Sequence, residues 1–208
     1  MLDIKEIYSS LLNHFGKQNW WPTISNNKAF EISIGAILTQ NTSWKNVEKA
    51  IKNLKDNNLL SKDAIKKIKV ERLAKLIKSS GYHNQKAKKL KEFVKFLESS
   101  KEINRENLLS IWGIGKETAD SILLYAYNKP IFVIDSYTKR VFSRLGLCYK
   151  DIGYEELQNL FHKNLLKDYK LFNEYHALIV RLAKDICKTK PLCHKCPLNS
   201  ICSYRLSL

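Results

Sequence analysis

Four cysteines crowd the C-terminal end of this 208-residue chain: Cys187, Cys193, Cys196 and Cys202, in the pattern C-x5-C-x2-C-x5-C. Thiols grouped so closely are metal or cluster ligands in a reducing compartment rather than a secreted disulfide framework. The spacing favours a [4Fe-4S] cluster. A structural zinc site usually has two short C-x2–4-C knuckles; only one is present here, and zinc stays as the alternative. Cys148 lies outside the set and reads as a small buried hydrophobe. Upstream, Trp112-Gly113-Ile114-Gly115-Lys116 forms a Gly-x-Gly hairpin between two helical stretches. Two glycines let the backbone turn tightly and approach a ligand. The following helix offers free N–H groups and a positive dipole end, an anion site. Taken alone, such a turn is simply a connection between helices. Asp135 sits between apolar Phe132-Val133-Ile134 and a helix that begins at Ser136. Asp caps helices well. The same geometry keeps a carboxylate ionised, able to stabilise developing positive charge or to orient a water.

The elements that must position these residues read as helices almost throughout. Tyr175, Leu178, Ile179, Leu182, Ala183 and Ile186 form one stripe of a helix that runs into Cys187. Ala87, Leu90, Phe93, Val94 and Leu97 form another, with Lys86, Lys88, Lys89, Lys91 and Lys95 mostly on its wet side. The segment from Phe30 to Leu38 is apolar almost all round, which suits a helix in the middle of a bundle. Further helices are expected at about 3–15, 43–55, 70–78, 116–128, 136–145, 154–167 and 171–186, with a short one ending at Trp112. Ile131–Ile134 reads as an extended linker, and the tail after Ile186 as a loop organised by its ligands. The fold class is all-α.

Composition narrows the function. The chain is 44% hydrophobic and 11% aromatic, enough for a sizeable interior. No apolar run approaches the ~18 residues of a membrane span. The N-terminus lacks the basic start and apolar core of a signal peptide, so a soluble, cytoplasmic protein with no membrane partner is expected. Lys and Arg number 36 against 20 Asp and Glu, a net charge of +16. Such an excess favours a polyanionic partner, most often nucleic acid, although lysine- and isoleucine-rich usage also follows from an AT-rich genome.

Together, L-x-G-I-G-K-E-T-A-D and V-I-D-S-Y-T resemble the helix–hairpin–helix–Gly/Pro–Asp (HhH-GPD) superfamily of DNA base-excision glycosylases. The cysteines resemble its endonuclease III branch, whose pattern, C-x6-C-x2-C-x5-C, has one residue more in the first interval. The resemblance covers about residues 20 to 202. It implies an all-α, two-domain endonuclease III-like fold with a DNA-binding cleft between the domains. One domain would span 22–130 and hold the helix–hairpin–helix motif at about 106–128; the other would join 1–21 to 131–208. The cluster loop, 187–202, would carry a [4Fe-4S] cluster on Cys187, Cys193, Cys196 and Cys202, and would hold Lys188, Lys190 and Lys195 against phosphates. Gly113 and Gly115 would grip a DNA phosphate, Gln40 would fill the gap left by a flipped nucleotide, and Tyr82 would wedge into the opposite strand. Asp135 falls in the catalytic-aspartate slot. Bifunctional members carry a nucleophilic Lys where this chain has Glu117. Lys116 is rotated away by ~100°, so no strong lyase activity is expected.

The segment Trp20-Trp21-Pro22, with Trp44 after Leu38-Thr39-Gln40-Asn41-Thr42, is similar to the 3-methyladenine DNA glycosylase branch. There, aromatic side chains sandwich the damaged base. The resemblance implies a base pocket of Trp21, Pro22, Trp44 and Glu117. Indole faces favour a cationic alkylpurine by ~0.5–2 kcal/mol. The implied activity is monofunctional excision of alkylated purines from double-stranded DNA by a monomer. The rivals are a glycosylase/lyase for oxidised pyrimidines, a mismatch uracil/thymine glycosylase, and a non-catalytic iron–sulfur DNA-binding protein.

Overall fold

The protein is described by a computed structural model covering residues 3–207. All regular elements among these residues are helical: α1 (Ile4–Phe15), α2 (Lys28–Leu38), α3 (Trp44–Asp56), α4 (Lys62–Lys67), α5 (Val70–Leu76), α6 (His83–Glu98), α7 (Arg105–Leu109), α8 (Lys116–Ser121), α9 (Ser136–Leu145), α10 (Tyr154–Asn164), α11 (Tyr169–Asp185) and α12 (Ser203–Leu206). No described helix is long and apolar enough to cross a membrane. The chain divides into two compact units. One is Trp21–Asn128; the other joins the described residues up to Trp20 with those from Lys129 onward.

In the 21–128 unit, α2 is the central helix, buried at every position from Phe30 to Leu38. The one charged residue of that buried stretch, Glu31, is accommodated because its carboxylate accepts the N–H groups of Ile24 and Ser25 at 2.7–3.1 Å. Those bonds bind the chain that carries Trp21 and Pro22 to the helix start. After Ser121 the hydrogen-bonding widens into a π-helical turn, Ile122–Ala126, which packs on α2. The expected helix 116–128 is therefore not uniform, since a wide turn changes which side chains face inward. α7 stops at Leu109, short of Trp112, because Leu108–Ile114 is already turning into the hairpin.

Lys86 is the clearest departure from the amphipathic reading of α6. It is only 2% exposed, and Lys89 and Lys91 are half-buried. A lysine can bury its stem when carbonyls receive its ammonium. Lys86 donates to Leu38 O at 2.9 Å and to Ser80 O at 2.6 Å.

In the second unit, α9 packs on α11, and α11 on α1. The 129–135 linker is extended, as expected, and has no strand partner among the described residues. Its backbone groups are met by side chains of α10 instead. Phe132 N–H donates to His162 Nε2 at 2.9 Å, Gln158 Nε2 donates to Phe132 O at 2.7 Å, and Ile134 N–H donates to Tyr154 Oη at 3.4 Å. Phe132 also stacks on Phe161, with ring centroids 3.7 Å apart. The tail is more regular than a plain loop: a 3₁₀ turn spans Cys193–Lys195, and α12 follows directly after Cys202. α10 ends at Asn164 rather than 167.

Candidate functional site

The hairpin is built rigidly. Arg105 on α7 makes a two-pronged ion pair with fully buried Asp120 on α8, Nε–Oδ1 2.7 Å and Nη2–Oδ2 3.2 Å. The turn is pinned by Ile114 N–H to Ile111 O at 3.1 Å. The two glycines are needed for different reasons. Gly113 has φ +80°, and a Cβ there would stand 2.5 Å from Lys89 Cε. Gly115, the N-cap of α8, has an ordinary φ of −93°, and a Cβ there would meet nothing within 4 Å. Nothing inside the protein requires glycine at 115; what its missing Cβ leaves open is approach from outside.

Gln40 lies just past the end of α2 with its amide fully oriented. Nε2 donates to Gly113 O at 3.1 Å and to Thr118 Oγ1 at 2.9 Å, while Oε1 accepts from Lys89 Nζ at 2.6 Å. Burial lowers the Lys89 ammonium's pKa. Tyr82 is 68% exposed and held at φ +44°, directly after Gly81 at φ +69°. A left-handed backbone under a bulky exposed ring is a strained arrangement of the kind found at working surfaces. Lys86 serves both segments, since its two carbonyl partners end α2 before Gln40 and close the turn before Tyr82. Burial, then repulsion from Lys89, depresses its pKa to about 8.

The tryptophans are not an open slot. Trp21 and Trp44 meet edge to face, centroids 4.9 Å apart and planes at 90°. A stacked base needs two parallel rings with a ring's thickness free between them. Trp21 also leans on Tyr125 of the π turn, centroids 5.3 Å apart, and rests against Gly35. Tyr125 and Gly35 carried no signal in the sequence. Pro22 and Glu117 are exposed.

In the second unit Asp135 caps α9. Its Oδ1 accepts from Thr138 N–H at 2.7 Å and Thr138 Oγ1 at 2.8 Å. Oδ2 faces His176 Nε2 at 3.6 Å, and the Asp135 side chain is 13% exposed. Burial alone would push the carboxyl pKa up. The imidazole and the Thr138 donors outweigh it and hold the carboxyl below its ordinary range. Capping and keeping a charged oxygen in reserve are thus one arrangement, not two alternatives. His176 could have been found from sequence only by pairing α11 with the start of α9.

The four cysteines line one cavity with Arg144, Ile186 and Tyr204. Burial, reinforced by the other three cysteines, pushes the Cys196 thiol up to about 11. Among the described residues no three or more His, Cys, Asp or Glu side chains stand close enough to hold a single metal ion. Two arginines of α9 tie this loop down. Arg140 donates to the carbonyls of Cys187 and Ala183, and Arg144 to Cys187 Sγ at 3.3 Å and to the Lys188 and Thr189 carbonyls. Cys148 is half-buried rather than fully enclosed.

A helix–hairpin–helix followed by a helix-capping aspartate, in an all-α chain, defines a DNA-glycosylase type of architecture. Residues 34–167 match the HhH-GPD superfamily base excision DNA repair protein family. The chain is 48% identical to a provisionally named DNA repair glycosylase of Methanocaldococcus jannaschii, over 96% of this chain and 95% of that one. A crystal structure of the Helicobacter pylori 3-methyladenine DNA glycosylase bound to 1,N6-ethenoadenine superposes with a TM-score of 0.78 at 32% identity, covering 88% and 98% of the two chains. A non-covalent endonuclease III–DNA complex shares the fold, with a TM-score of 0.87 at 22% identity over 100% and 98%. The chain belongs to the HhH-GPD superfamily of base excision DNA repair glycosylases.

Proposed function

We propose that the chain is a monofunctional DNA N-glycosylase that excises alkylated purines such as 3-methyladenine from duplex DNA, acting as a cytoplasmic monomer. The observation that carries this is the Asp135 carboxylate. One oxygen is spent on the helix cap, and the other is ionised and turned toward His176. An oriented negative charge can stabilise the oxocarbenium-like sugar as the base departs and can hold the attacking water. An N-alkylated purine already carries positive charge and leaves without strong acid help. The aromatic group Trp21, Trp44 and Tyr125 supplies electron-rich faces for such a cation, with Trp44 swinging off Trp21 to admit the base. Pro22 and Glu117 border that pocket. Glu117 stands where Schiff-base chemistry would need an amine. Gly113 and Gly115 grip a phosphate, Gln40 fills the gap, and Tyr82 wedges the opposite strand. Likeness to the 3-methyladenine glycosylase supports the choice of substrate.

The cysteine loop fits a [4Fe-4S] cluster held by Cys187, Cys193, Cys196 and Cys202. All four line one cavity, and the sequence has one short C-x2-C knuckle where a structural zinc site usually takes two. Iron held there would offset the burial that pushes up the Cys196 thiol. A cluster held there would add rigidity to the lysine-bearing loop, which Arg140 and Arg144 already tie to α9.

The test is a panel of duplexes: dimethyl sulfate-treated DNA, thymine glycol, and uracil or thymine opposite guanine. Release of 3-methyladenine without strand nicking, and no borohydride-trapped adduct, is the expected result. Efficient trapping would transfer the chain to the lyases. Asp135→Asn should cut excision by on the order of 10²–10³ while DNA affinity persists. Absence of excision from every duplex would favour a non-catalytic binder.

A further inference from the structure

We propose that Lys89 is a positioning residue that couples the phosphate-gripping hairpin to Gln40, presetting the Gln40 amide for the space an everted nucleotide leaves. The inference rests on the base-flipping reading above and adds to it a residue outside the recognised motifs. Lys89 lies on α6, distant in sequence from both partners. Its hydrocarbon stem lies over Gly113 so closely that a Cβ there would come within 2.5 Å of Cε, 2.7 Å of Cγ and 2.8 Å of Cδ. Its ammonium then reaches Gln40 Oε1 at 2.6 Å, and the same amide returns to the hairpin through Gly113 O and Thr118 Oγ1. Lys89, Gly113 and Gln40 therefore form a closed ring of contacts within the 21–128 unit.

The polarity of that ring is fixed. An ammonium can only donate and a backbone carbonyl can only accept, so the Gln40 amide has a single orientation. A glutamine side chain free in water samples many rotamers and loses that freedom on entering DNA. Ordering it beforehand removes that cost from binding. Because the stem that orders Gln40 also backs the hairpin, phosphate grip and gap filling are held at one spacing. Solvent-exposed lysines such as Lys88 contribute only general attraction to phosphates.

Affinities of the full chain for an intact duplex and for one bearing a tetrahydrofuran abasic analogue would test this. Lys89→Met keeps the stem and removes the donor. It should lose about tenfold in preference for the abasic duplex while affinity for intact DNA changes by about threefold or less. Gln40→Ala should lose a similar preference, and the double variant should be no worse than Gln40→Ala alone. Lys89→Arg, retaining stem and charge, should keep the preference; far-UV circular dichroism and melting confirm that each variant is folded. Equal losses on both duplexes, or additive losses in the double variant, would overturn the coupling. These readouts need no catalysis. A wild-type chain that excises nothing but shows the non-additive pattern would sink the enzymatic reading and leave the coupling intact.

Discussion

His176 Nε2 stands 3.6 Å from Asp135 Oδ2, at the end of the carboxylate that does not cap α9. The two side chains come from α11 and from the residue before α9, which pack directly on each other. This pairing makes the acid's charge a property of the helix packing. Burial raises the carboxyl's pKa; His176 and Thr138 more than reverse that, and the net direction is downward.

Replacing His176 by Ala should therefore raise the Asp135 pKa. A carboxyl depressed in the folded state contributes stability above its unfolded value, near 3.9, and loses it as pH falls through the folded value. In the wild type that loss, and the acid limb of excision, should lie below the ordinary carboxylate range. In His176→Ala both should move to higher pH. Single-turnover rates and urea unfolding between pH 3 and 6 would measure it; an unchanged acid limb would detach His176 from the acid.

Lys86 predicts the opposite end of the pH scale. Its folded pKa, about 8, lies below the ordinary lysine value near 10.4. Between the two the unfolded chain binds more protons, so stability should rise with pH across that window. Lys86→Met should flatten the rise. It should also loosen the segments on either side, seen as faster amide exchange at Thr39–Asn41 and Gly81–Tyr82.

Lys86 and its α6 neighbour Lys89 mark where the sequence stops being informative. Gly113, Gly115, Asp135 and the cysteines announce themselves because their chemistry is local: a turn, a cap, a ligand spacing. The burial of Lys86 and Lys89 depends on carbonyls and a glycine supplied by distant segments, and their positions on α6 look like an ordinary wet face. Tyr154, Gln158 and His162 recur every fourth residue and lie on one stripe of α10, a pattern in plain view. Its meaning appears only once Phe132 and Ile134 are seen to lack strand partners. The perpendicular packing of Trp21 on Trp44 likewise depends on Gly35 and the π turn, neither of which periodicity reveals.

That stripe makes its own prediction. Gln158→Leu removes the donor to Phe132 O in a buried setting, and the loss of one buried partner costs about 1–3 kcal/mol. The linker ends at Asp135, so excision should fall by more than DNA binding does. Denaturant unfolding and paired rate and affinity measurements on this variant separate the two effects.

The glycines of the hairpin offer the sharpest contrast. At Gly113 an alanine meets both a left-handed φ of +80° and the Lys89 stem at 2.5 Å. The backbone cost is about 1–2 kcal/mol, and overpacking adds roughly 1–3 kcal/mol, so Gly113→Ala should melt markedly earlier. At Gly115 the backbone is extended and the space is open. Gly115→Ala should change stability little, because the gain of about 0.4–1 kcal/mol from a narrower unfolded ensemble is offset by alanine's being a poorer N-cap than glycine. If the hairpin grips a phosphate as proposed, the same methyl would crowd that phosphate's approach to the N–H groups at the start of α8. Affinity for duplex DNA should fall about tenfold, the equivalent of one charge-assisted hydrogen bond of ~1.5 kcal/mol. A Gly115→Ala protein that is about as stable as the wild type yet binds duplex poorly is the expected result; unimpaired binding would remove the hairpin from the proposed interface.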